Sequence, residues 1–168
     1  MGTWGVDGFA NDEALDWIER LDPRDGAGPV RRELRSIAEA PDPHLTAPRA
    51  AIALVAAELV AALHGQPHPE LPPAARRWLD AQPAQSAGDA ARDDEALVDA
   101  TRALDFVVTG SQLSETFSQR ADDRAWRAAL DDLRMRLAAG FPSLDASRGA
   151  GSVEASPSDA AGTRPSTA

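Results

Sequence analysis

The apolar residues of this chain recur at helical spacing from about residue 12 to residue 140, and nowhere do they alternate with period two over five residues. After Asn11, a natural N-cap, DEALDWIERL sets Leu15, Ile18 and Leu21 on one stripe, with acids in the first turn where the helix dipole favours them. Asp22-Pro23 ends it. Gly28-Pro29 opens PVRRELRSIAEA, with Val30, Leu34 and Ile37 in register, and Pro41 and Pro43 close it. The third segment has Pro48 in its first turn and an apolar run that stops at His64-Gly65, a natural C-cap. A proline-rich connection, GQPHPELPP, leads to a short helix over 74–81 with Trp78 and Leu79. Residues 82–89 read as a loop. ARDDEALVDATRALDFVV then places Leu97, Ala100, Leu104 and Val107 on one face until Thr109-Gly110-Ser111 breaks it. Ser111 or Ser114 caps a short helical turn, and Asp122 or Asp123 caps a last helix carrying Trp126, Leu130, Leu133 and Leu137.

This pattern predicts an all-α domain over 1–142, a single bundle of five to six helices around a central alanine-rich helix near 48–64. The first helix, the one over 91–108 and the closing helix are expected to pack around that centre. From Ser143 onward Leu144 and Val153 are the sole large apolar residues. Such a segment buries too little to offset its ordering entropy, so 143–168 is expected to be a disordered tail.

Composition narrows the partners. Aromatics make up 5% of the 168 residues, so the core is expected to be light and closely packed. There is no cysteine, hence no disulfide and no thiolate site. Arginine supplies all 17 basic residues, and the net charge is −10; the three acids and two arginines of the tail leave −9 on the rest. That balance argues against nucleic acid, which needs a basic face, and suits a soluble, freely diffusing protein or one with a basic partner. The acids among the first 21 residues do not fit a signal-peptide n-region, and the run Ala50 to Leu63 is interrupted by Glu58 and shorter than the roughly 20 residues of a membrane span. The start Met1-Gly2 lacks the Ser or Thr of a myristoylation motif, having Val6 instead. The expectation is a cytoplasmic protein with no membrane association.

Glu58 is the residue that asks for an explanation. It is the one charged residue from Ala50 to Leu63, in a helix apolar nearly all round and so expected at the centre. An unpaired carboxylate there is costly, so Glu58 is either neutral or hydrogen-bonded. The structural reading makes it a polar anchor; the sharper one makes it a general base or ligand; a third puts it at a partner surface. The opening stretch MGTWGVDGFAND bears on this. Gly2, Gly5 and Gly8 let a backbone approach closely, and Trp4 and Phe9 would pin the loop to the core, so its N–H groups are candidate donors to Glu58. It is not a phosphate loop: GxxGxxG is not GxxxxGK[ST], and the chain contains no lysine.

The remaining polar groups read as structural first. Asn11-Asp12 is a cap, or a polar pair beside Glu58. Ser111, Ser114 and Glu115 form a second cluster whose default role is capping. His64 and His68 are four apart, but Gly65 and Pro67 break the helix that would align them, so no metal site is expected. No GxSxG elbow supports a Ser-His-acid triad. The arginines at 31, 32 and 35, at 76 and 77, and at 120, 124 and 127 read as solvated faces.

Three stretches taken together, MGTWGVDGFANDEALDWIERL, AAIALVAAELVAALHGQP and SQLSETF followed by AWRAALDDLRMRL, resemble the bacterial family of domain of unknown function 4259. The resemblance runs over 1–140. It implies a small helical domain, carries over to Gly2, Trp4, Gly5, Phe9, Asn11, Asp12, Glu58, Ser114, Glu115 and Trp126, and marks Trp4, Asn11, Asp12 and Glu58 as a joint unit. Two departures stand out: Ala10, where relatives often have an acid, and Thr116-Phe117, where they have Leu-Trp. The resemblance implies no activity.

The leading functional expectation is a non-enzymatic binding or interaction domain, one form being an acidic immunity-like or inhibitor protein, with no cofactor. The alternative is an acid–base hydrolase using Glu58, with Asp12 or Glu115 as second carboxylate. A third class is an oligomerisation module.

Overall fold

The structure, a computed structural model, describes residues 9, 11–40, 42, 44–83 and 90–141, with the backbone alone for 90–93. Gly2, Trp4, Gly5 and the 143–168 tail lie outside the described residues. Among those described there are seven α-helices, one short 3-10 turn and no strand. In chain order the helices are α1 (Asp12–Glu19), α2 (Gly28–Glu39), α3 (Ala47–Leu63), α4 (Pro73–Asp80), α5 (Ala90–Gly110), α6 (Gln112–Ser118) and α7 (Asp123–Gly140). The fold is all-α, as expected, with the short turn after Ser111 counted as a helix of its own.

Local chemistry sets the boundaries. The Asn11 side chain accepts a hydrogen bond from Ala14 N–H at 3.1 Å, satisfying an otherwise open donor of the first turn. Asp22 does the same for Arg24 N–H at the 3-10 turn Pro23–Asp25. Pro29, Pro48 and Pro73 stand in the first turns of α2, α3 and α4, where a missing N–H costs nothing. α3 ends at His64, and Gly65 follows with φ of 78°, the left-handed conformation that turns the chain away.

α3 is the axis of the bundle. Every residue from Ala53 to Ala61 is buried, Glu58 included. All six other helices contact it, and around it α2 packs on α5, α1 on α4, and α5 on both α6 and α7. The expected partners α1, α5 and α7 are all there, but α2 belongs with them, since it packs on both α3 and α5. The stripes fall as read on α2 (Val30, Leu34, Ile37), α5 (Leu97, Ala100, Leu104, Val107) and α7 (Trp126, Leu130, Leu133, Leu137). On α1 the buried pair is Ala14 and Ile18, with Leu15 half-buried at the margin; the helix ends at Glu19, so Leu21 of the expected stripe lies past it, half-buried.

One short backbone link joins distant segments. Gln112 N–H donates to Leu45 C=O at 3.0 Å, an isolated parallel bridge that ties the entry of α3 to the corner between α5 and α6. At the far end, α7 approaches α3 and α5 through Gly140. A methyl group there would stand 3.0 Å from both His64 Cβ and Leu97 Cδ2, so only hydrogen fits without movement.

Candidate functional site

Glu58 is 5% exposed, and its partner comes from α7. The Arg136 guanidinium donates to both carboxylate oxygens, to Oε2 at 2.6 Å and Oε1 at 2.7 Å. This two-pronged geometry is the strongest that an arginine and a carboxylate can make. The same guanidinium donates from Nε to Asp132 Oδ2 at 2.7 Å and reaches Gln66 C=O at 3.4 Å. Burial pulls the pKa of Arg136 down, but the hydrogen bonds and charge of Glu58, and then of Asp132, outweigh it and leave it above the ordinary arginine value. The donors anticipated from the opening glycine loop lie outside the described residues; among those described, it is Arg136 that satisfies Glu58.

The local sequence explains why Arg136 is there. It follows Leu133 by three residues and precedes Leu137, so it rides the edge of the stripe that α7 buries. Asp132, one turn back and half-exposed, holds the outer side of the guanidinium. The 12% exposure of the Arg136 side chain places the pair at the inner rim of the core rather than in solvent.

The other candidates separate from this pair. Asn11 is spent on its cap, and Asp12 is exposed in the first turn of α1. Phe9 is buried and meets the His68 ring edge-on at 5.7 Å, so the end of the opening stretch does pin to the core. Ser111 caps α6 by accepting from Ser114 N–H at 3.1 Å, while its hydroxyl donates to Val107 C=O at 2.6 Å. Ser114 donates to Val108 C=O at 2.7 Å. Glu115 is exposed. Trp126 is buried and lies flat on Phe117, centroids 4.9 Å apart, so the aromatic at the departing position fills the core.

The histidines are structural or exposed. His64 Nδ1 pairs with Val60 C=O at 2.8 Å, as the cap of α3. His68 Nδ1 accepts from Glu70 N–H at 3.0 Å in the loop. Among the described residues no three His, Asp or Glu side chains are grouped to hold a metal ion, and no helix is long and apolar enough to cross a membrane.

The arginine faces are less solvated than their spacing implies. Arg127 does pair within its helix, with Asp123 at 2.9 Å. Arg35 crosses instead from α2 to α5, donating to Glu95 at 2.8 Å and to the buried Asp99 at 3.4 Å. The charge of Glu95 and the hydrogen bond to Asp99 raise the pKa of Arg35.

The family model described as Domain of unknown function (DUF4259) matches residues 2–129. The chain belongs to that family. The matched span holds Glu58 and the first part of α7 but ends before Asp132 and Arg136, so in this DUF4259 chain the partner of Glu58 is supplied from beyond it. No curated protein and no solved structure matches the chain.

Proposed function

We propose that this DUF4259 domain works by binding a basic protein partner in the cytoplasm, not by catalysis. The observation that carries the reading is a contrast in how charge is used. Arg35, Arg49, Arg134 and Arg136 are each tied to an acid on another helix. The outward acids of α1, Asp12, Glu13, Asp16 and Glu19, are exposed, and none forms a salt bridge among the described residues. A surface of unspent negative charge on a chain of net charge −10 favours a basic face, as an immunity-like or inhibitor protein would. The hydrolase alternative is weaker: it asks Glu58 to exchange protons while Arg136 holds both its oxygens, with Asp12 or Glu115 as second carboxylate.

The test is retention of basic proteins on the immobilised domain at about 50 and about 300 mM salt, where screening differs strongly. It is run beside a variant carrying Asp12→Asn, Glu13→Gln, Asp16→Asn and Glu19→Gln, checked by circular dichroism for an unchanged fold. The expected result is a basic protein held at low salt, released at high salt and lost by the variant. Nothing held at low salt, or equal retention by the variant, overturns the reading.

A further inference from the structure

We draw no further inference here: the strongest candidate, the cleft of about 170 Å³ between α2 and α5 lined by Arg31, Arg32, Arg35 and Glu95, carries nothing because Arg35 at its centre is already held by Glu95, Asp99 and Glu39 and nothing in the structure shows what would fill it.

Discussion

Removing Arg136 and removing Glu58 are not equivalent, and the difference is measurable. In Arg136→Met the Glu58 carboxylate is left with a 7% exposed side chain and both its donors gone. Stranding one member of a buried pair typically costs about 3–5 kcal/mol. In Glu58→Met the guanidinium keeps Asp132 at 2.7 Å and the Gln66 carbonyl at 3.4 Å, so the expected cost is lower, about 2–3 kcal/mol. In the double variant Glu58→Met with Arg136→Met both charges leave together. Asp132, half-exposed, turns to water, and the expected stability is within about 1 kcal/mol of the parent, because well-packed apolar residues often replace a buried pair at little loss.

The assay is urea unfolding of the four proteins, compared by midpoint and slope. With a slope of about 2 kcal/mol per molar, Arg136→Met moves the midpoint down by about 2 M, and the cycle gives a coupling of at least about 4 kcal/mol. The sign with pH follows from the raised Arg136 pKa: its stabilising contribution is complete below the ordinary arginine range and is lost only as pH rises through the folded value. The coupling should therefore be equal at about pH 7 and about pH 9.5. A loss under about 1 kcal/mol in Arg136→Met, or single costs that simply add in the double variant, would refute the pairing argument.

Other perturbations test separate parts of the fold. Asn11→Ala and Ser111→Ala each remove a cap, and Ser111 also gives up its bond to Val107 C=O; losses of about 1 kcal/mol and about 1–2 kcal/mol are expected by denaturant unfolding. Gly140→Ala meets His64 Cβ and Leu97 Cδ2 at 3.0 Å and should cost about 1–3 kcal/mol through overpacking. Gly65→Ala meets nothing within 4 Å, so its cost of about 1 kcal/mol comes from the positive φ alone; a Gly140→Ala protein no less stable than Gly65→Ala would count against the tight approach of α7. Asp16→Asn with Glu19→Gln, past the first turn of α1, should leave thermal stability within about 0.5 kcal/mol while weakening retention of a basic partner.

The legible parts of this protein were those where a stripe is long enough to repeat. α2, α5 and α7 each present three or four large apolar residues in phase, and the buried residues are those. α1 was harder, because its eight residues hold a single buried pair, Ala14 and Ile18 one turn apart, and the small Ala14 gives no apolar signal strong enough to outvote Leu15 at the margin. α6 spans seven residues, too few for periodicity to separate a helix from a turn. Glu58 was visible as a lone charge in an apolar run, but its partner was not, since 78 residues separate the two and nothing local to either links them. Position gave no separate signal: Arg136 flanks Leu133 and Leu137, but Arg134 flanks the same two residues and Arg127 flanks Trp126 and Leu130. The α2–α5 seam was hidden for the same reason, its ion pair joining Arg35 to Glu95 and Asp99 some sixty residues on.

The arginines that cross between helices share a task that the core is poorly made to do. Six of the eleven buried residues of α3 are alanine, and small side chains interlock weakly, so apolar packing resists a helix sliding along its neighbour less than a core of large side chains would. At the seams of α3 a directional contact is present instead: Arg49 to Glu33 at 3.4 Å on α2, and Arg136 to Glu58 on α7. A two-pronged bond accepts one register and no other. The double variant Glu58→Met with Arg136→Met should therefore keep its unfolding free energy and lose its uniqueness. The expected signs are a shallower unfolding slope, broadened amide resonances from α3 and α7, and increased binding of a hydrophobic dye. If the variant keeps the parent slope and sharp, dispersed resonances, the alanine-rich core sets its own register and the register argument for the buried pair fails.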